Sequence, residues 1–190
     1  MKPVSMSRNQ SERTIPQFNV ARATQIVGAF LERLGGTAYY ILLVKLVYLT
    51  EREALLRWGR PLTFDKLCSM KNGTVASETL NLFKGDRHSS YWSKFVSEPH
   101  AKQVKLRKAP EADELSPMEI DLIQEVFEQY GHWDRFALAR FTHTLPEYTE
   151  TTSSIPIAYQ EILKGGKIDG DDIASIMSEI DGLVLLEDIR

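Results

Sequence analysis

The stretch LSPMEIDLIQEVFEQYGHWDRFALARFTHTL, residues 115–145, decides the fold. It reads as two helices joined at one glycine. Ser116 is placed to N-cap the first helix. Pro117 takes the first helical position, where its missing N–H costs nothing, and Glu119 stands three after the cap. Ile120, Ile123, Val126, Phe127 and Tyr130 recur at helical spacing and predict one core-facing stripe. Gly131 follows where a helix stops by turning left-handed. Asp134 then caps a second helix, with Trp133 and Leu138 placed as a hydrophobic staple. Phe136, Ala137, Ala139, Arg140, Phe141 and His143 continue it until Pro146. An α-hairpin specified in this way is a scaffold and not in itself a catalytic site.

Toward the N-terminus, residues 1–17 are polar, carry Pro3 and Pro16, and read as a flexible segment. Asn19 caps a helix bearing Ala23, Ile26, Val27, Phe30, Leu31 and Leu34, ended by Gly35-Gly36. Thr37 caps the next helix, which runs to about Trp58 before Gly59 and Pro61. Its first half, YYILLVKLVYL, is apolar all round, the pattern of a helix at the centre of a bundle. Lys45 lies inside that run. A buried amine there is a base or nucleophile in the functional reading. With no partner constellation in sight, the favoured reading is a lysine that snorkels to the surface or pairs with a carboxylate.

Leu62, Phe64 and Leu67–Met70 read as a short extended piece, Lys71-Asn72-Gly73 as a turn, and Thr74 or Ser77 as the start of a short helix closed by Gly85. YWSKFV (91–96) and Val104–Arg107 alternate at period two and predict a small β-hairpin packed on helices. Beyond the α-hairpin, Thr149–Ser154 is a polar linker. Ser154-Ile155-Pro156 starts a short helix through Leu163, closed by Gly165-Gly166. Asp169 or Gly170 opens a last helix that ends at Asp181-Gly182. The fold class is therefore mainly α with a small β-hairpin (α+β). The expected layout is a flexible segment 1–17, a helical domain 18–165, and a C-terminal helix and tail 166–190.

Charge is unevenly spread. Residues 1–110 carry 18 Lys and Arg against 8 Asp and Glu, and residues 111–190 carry 5 against 18. The two parts either neutralise one another on folding or steer a charged partner. A net charge of −3 argues against a nonspecific nucleic-acid binder. The single cysteine, Cys68, excludes an intramolecular disulfide and suits a reducing compartment. The start lacks the apolar core of a secretory signal, and the longest apolar run is about half of what spans a bilayer. The expectation is a cytoplasmic protein with no membrane partner.

Known site chemistries find little support. His88, His100, His132 and His143 have no i, i+4 pair, and the last two would stand about 16 Å apart on one helix. No metal site and no cofactor is expected. KIDGDDIAS lacks the order of a calcium loop. Cys68 reads as a buried structural cysteine, and there is no Walker, GxGxxG or GxSxG motif. Glu51 and Glu53 are two apart on a helix and face different ways.

Lys45–Val75, KLVYLTEREALLRWGRPLTFDKLCSMKNGTV, resembles the Panacea, or SocA-like, domain. The pieces that carry the likeness are a helix with Lys45 and Tyr48, the turn Gly59-Arg60-Pro61-Leu62, and Lys71 and Gly73 leading to Val75. Gly131 and the Thr142-His143 pair follow in the expected order. The likeness extends over roughly Ala23 to Leu163. Gly73-Thr74-Val75 departs from the family's Gly-Pro-Val, with threonine capping a helix where proline would start it, and Asn72 stands where the family has an aromatic residue. The resemblance implies an antitoxin that neutralises a cognate protein toxin, encoded nearby, by binding it. One branch of the family instead implies an adaptor that presents the toxin to an AAA+ protease. Homo-oligomerisation, DNA binding and a hydrolase using Cys68 or His143 are lesser alternatives. Binding energy concentrates in aromatic and arginine anchors, so Arg87, Tyr91, Trp92, Phe95 and Arg107 are the candidate partner contacts.

Overall fold

The computed structural model describes the backbone of residues 16–187 and the side chains of residues 16–183. Most of the segment expected to be flexible lies outside the described residues. The elements are α1 (Val20–Arg33), β1 (Thr37–Tyr39), α2 (Tyr40–Trp58), β2 (Leu67–Met70), β3 (Gly73–Ala76), α3 (Ser77–Lys84) and α4 (Trp92–Phe95). β4 (Gln103–Lys105), α5 (Pro117–Tyr130), α6 (Arg135–Thr142), β5 (Ser154–Pro156), α7 (Tyr159–Gly165) and α8 (Gly170–Glu187) follow. The fold is α+β and mainly α, as the residue patterns imply.

Helix α2 is the axis. Every residue from Leu42 to Glu51 is buried, and α1, α3, α5, α6, α7 and β3 all pack on it. An all-round apolar helix demands such a coat, because no face of it gains from water. α1 starts where Asn19 Oδ1 accepts the Arg22 amide at 3.0 Å. α5 starts with the reciprocal Ser116 and Glu119 capping box, and α6 starts on Asp134, which accepts the Phe136 and Ala137 amides.

Several local expectations are overturned. Thr37 does not cap α2. Residues 37–39 form β1, antiparallel to β4 with Ala38 opposite Val104. YWSKFV is not a strand. Trp92–Phe95 is a helical turn, started where Ser89 accepts the Trp92 amide on its hydroxyl and the Ser93 amide on its carbonyl. Tyr91 and Phe95 then meet at 5.1 Å, the i, i+4 contact that only a helix offers, and Trp92 turns inward against Phe83. Only Val96 of that stretch bridges to Leu106.

The expected pairing survives only at its turn end, where the Ser97 amide donates to the Lys105 carbonyl at 2.9 Å and the Arg107 amide to the Phe95 carbonyl at 2.7 Å. A second hairpin is formed by β2 and β3 joined at Lys71-Asn72, with Met70 opposite Gly73. Thr74 is extended within β3, not a helix cap, and α3 begins at Ser77. Asp65 caps α3 from outside, accepting the Glu78 amide at 2.7 Å and the Thr79 amide at 2.9 Å. Ser154–Pro156 is no helix start. It adds β5 to the free edge of β2, where Pro156 is tolerated because an edge strand needs no second donor.

Gly131 is right-handed (φ −63°), so it does not stop α5 by turning left-handed. It is glycine for space, since a Cβ there would lie 2.7 Å from the Phe127 carbonyl oxygen and collide with its ring. Trp133 joins an aromatic cluster in which it lies against Tyr130 and Phe141. Ile120 is exposed, and Leu122 takes its place on the buried stripe. Gly182 does not end α8, which runs on to Glu187.

Candidate functional site

The sequence brings a buried lysine, a hairpin turn and a helix end together. Lys45 is fully buried in the middle of α2. It neither snorkels nor meets a carboxylate. Its Nζ donates to the Thr74 carbonyl and to Thr142 Oγ1, both at 3.2 Å. Thr142 Oγ1 donates onward to the Ala139 carbonyl at 2.9 Å. Burial without a counter-ion holds the Lys45 amine down at about 8. Gly73 closes over this cluster with φ 94°. A Cβ there would lie 2.9 Å from Lys45 Nζ and 3.0 Å from His143 Cδ2, and would collide with Thr142 Oγ1. His143 itself is exposed and stacks on Tyr148 with ring centroids 4.6 Å apart.

Tyr48 and Arg52 extend the same face of α2 at spacings of three and four. The Tyr48 hydroxyl and Arg52 Nε both donate at 2.7 Å to Glu147 Oε1, whose side chain is fully enclosed. Burial, then the Glu147 carboxylate, push the Tyr48 hydroxyl well up. At the other end of the hairpin Glu51 is buried and accepts the Leu62 amide at 2.7 Å, the Thr63 amide at 3.0 Å and the Thr63 hydroxyl at 2.6 Å. That carboxylate fixes the turn begun at Gly59 and Pro61. Burial pushes Glu51 up to about 7 and Asp65 up to about 6, against the hydrogen bonds that favour their charged forms.

Of the motif residues, Lys45, Gly73, Thr142 and His143 therefore meet, with Tyr48 joined through the neighbouring Glu147 network. Val75 is buried in β3 beside them, and Lys71 is exposed at the hairpin tip. Gly59 and Pro61 lie at the far end of α2, and Gly131 lies between α5 and α6. The burial of Glu51, Asp65 and Glu147 escaped sequence reasoning because a lone acid in a helix or loop carries no signal of it.

Two adjoining cavities open around the hairpin tip. One, of about 450 Å³, is lined by Met70, Lys71, Asn72, Val75, Lys84 and Ser153 among others. The second, of about 250 Å³, is lined by Tyr39, Asn72, Lys102, Arg135, Phe136 and Ala139 among others. They share Tyr40, Ile41 and Asn72 and so form one cleft. The Arg135 guanidinium lies 3.9 Å from the Tyr39 ring centroid and 4.5 Å from that of Phe136, which is 60% exposed.

The candidate partner contacts from the sequence fall on a separate groove of about 420 Å³. Arg87, Trp92 and Arg107 line it, together with Lys84, His88 and Glu98. Arg87 is ion-paired to Glu78 at 2.8 Å, and Trp92 presents only an edge from the core. Tyr91 and Phe95 are half-buried and meet at a tilt of 56° outside the lining. Lys84 borders both the groove and the cleft.

Cys68 is buried across the sheet from Val75 and Pro156, and no hydrogen bond among the described residues joins it to His143. Among the described residues no group of three His, Cys, Asp or Glu side chains could hold a metal ion. No helix of the described residues is long and apolar enough to cross a membrane.

These features define a small α+β protein in which a central helix carries a β-hairpin and two basic surface depressions. Residues 43–148, more than half of the chain, match the family model of the antitoxin SocA-like, Panacea domain, and the chain belongs to that family. The match is narrower than the resemblance from Ala23 to Leu163 and covers the hairpin, the Lys45 cluster and the α5–α6 pair. No curated protein and no solved structure matches the chain. Membership gives the chain an antitoxin-type role, and with it a toxin as partner in general terms.

Proposed function

We propose that this chain neutralises a cognate protein toxin by binding it directly, and that the groove of Arg87, Trp92 and Arg107 is one of its contacts. The observation that supports this reading is an excess of unpaired cations in the segment that builds this groove. Residues 84–108 hold seven Lys and Arg against two acids. Lys84, Lys94, Lys102, Lys105, Arg107 and Lys108 are exposed and form no ion pair with another described residue. Such a field accelerates association with an acidic partner and rejects basic ones. The reading implies a cytoplasmic protein that meets its toxin there.

The test is co-expression with the product of the adjacent gene, scoring growth and co-purification together. A toxic neighbour that is silenced in a stoichiometric complex supports the reading, and Arg107→Glu should then weaken the complex roughly tenfold. A neighbour that is silenced and disappears assigns the chain to the adaptor class instead. A harmless, unbound neighbour refutes the antitoxin reading.

A further inference from the structure

We infer that the cleft at the hairpin tip is a second docking site, adjoining the groove at Lys84, and that it takes an extended acidic segment of the toxin. This rests on the toxin-binding reading above. The two cavities are lined by Lys71, Lys84, Lys102 and Arg135 and by no Asp or Glu. None of the four cations is ion-paired with another described residue. α2 also opens at the cleft with no side-chain cap and no acid in its first turn, which adds to the positive field. The shared floor of Tyr40 and Ile41 gives apolar contact between the charges.

Two features indicate that the cations are placed and not incidental. Arg135 is held between the Tyr39 and Phe136 rings, so its guanidinium is pre-oriented and loses little freedom on meeting a carboxylate. Lys102 sits in a two-residue turn with Ala101 in which both residues are left-handed, at φ 49° and 65°. His100 and Gln103 close that turn by exchanging backbone hydrogen bonds. Asn-Gly would make the same turn without strain. A strained lysine that lines a cleft is the kind of local cost that accompanies a binding role. The cations are shared between the two cavities, Lys71 and Lys84 in one and Lys102 and Arg135 in the other, which suits an extended chain with acids at intervals and not a single small anion.

The test is an anisotropy titration of the full chain with a short fluorescein-labelled peptide of alternating Glu and Leu. A Lys-Leu peptide and a labelled single-stranded oligonucleotide serve as comparisons. The acidic peptide is expected to bind, to weaken as salt rises, and to lose roughly tenfold in affinity with either Lys102→Gly or Arg135→Glu. Lys102→Gly should not lower the melting temperature, since glycine relaxes the turn, and Arg135→Glu should lower it only slightly, since glutamate suits the first position of α6 and offsets part of the lost ring contacts. Lys66→Glu, at an exposed lysine outside the cleft, should leave binding within roughly twofold. Peptide binding untouched by both cleft variants overturns the proposal, as does equal or tighter binding of the oligonucleotide at the same residues. Co-purification separates this from the broader reading. A toxin retained equally by wild type and by the Lys102→Gly, Arg135→Glu double variant overturns the cleft alone. A toxin not retained by wild type overturns the neutralisation reading, and the peptide titration still decides the cleft.

Discussion

Replacing Lys45 with methionine should make the fold more stable near neutral pH. Methionine keeps the unbranched length and removes the amine. Lowering the Lys45 pKa from 10.5 to about 8 makes its charged form about 3 kcal/mol less favourable in the folded chain than in the unfolded one. Against this, the variant leaves the Thr74 carbonyl without its donor. Thr142 Oγ1 keeps its bond to Ala139, so the loss is about 1–2 kcal/mol. The net expectation is a gain of about 1–2 kcal/mol. The folded pKa lies below the unfolded one, so between about 8 and 10.5 the unfolded chain binds more protons and wild-type stability rises with pH. The methionine variant lacks that titration. Its advantage should shrink across this window and change sign once only the lost hydrogen bond remains. Urea unfolding of both proteins at a series of pH values measures this, because the difference cancels every other titrating group. A difference that is flat with pH, or a variant several kcal/mol less stable at neutrality, would refute the reasoning. Either result would mean that the ammonium is solvated or ion-paired in the folded chain.

Gly73→Ala forces a side chain into a left-handed residue facing Thr142 and should cost about 3 kcal/mol or more, read as a large fall in melting temperature. Thr142→Val removes one of two acceptors from Lys45. It should couple to Lys45→Met by about 1–2 kcal/mol in a double-mutant cycle, and simple additivity would show that the contact is not made. Glu51 has a folded pKa raised from 4.5 to about 7. Its contribution is therefore fully present below about 4.5 and lost as pH rises through about 7, and Glu51→Gln should remove a fall of about 3 kcal/mol across that window.

The helices were legible because their signals are local. Ser116, Pro117, Glu119 and Asp134 stand where caps must stand, and α2 declares its burial by being apolar on every side. The strands were not, because each is three or four residues long and its partner is chosen by tertiary contact. Val104 alternates correctly for a strand, yet its partner is Ala38, far away in sequence. The Tyr91–Val96 stretch fits period two and period 3.6 equally well over so few residues. What decides is the inward contact of Trp92 with Phe83 and the cap from Ser89. The motif residues Lys45, Gly73, Thr142 and His143 could be picked out in the chain, but not their meeting. Nor could the sequence show that Glu51, Asp65 and Glu147 are buried, since acids in such positions are usually solvated.

Three buried ionisable groups serve one hairpin, and this bears on what Lys45 is for. Glu51 fixes the entry at Leu62 and Thr63, Asp65 fixes the exit into α3, and Lys45 ties β3 to the end of α6. Apolar side chains of the same volume would hold these elements with less desolvation cost. What a hydrogen bond adds is direction, because each one fixes a particular atom at a particular distance. The atoms fixed by Lys45 belong to the hairpin that carries Lys71 and Asn72 and to the helix that carries Arg135 and Phe136, and both of these elements line the cleft. Lys45 thus ties two elements of the cleft together without lining it. Lys45→Met should accordingly separate two properties that usually fall together, with stability rising while affinity for the Glu-Leu peptide drops severalfold. Affinity unchanged in a stabilised variant would mean that packing alone holds the walls, and that Lys45 is a cost of the fold with no part in binding.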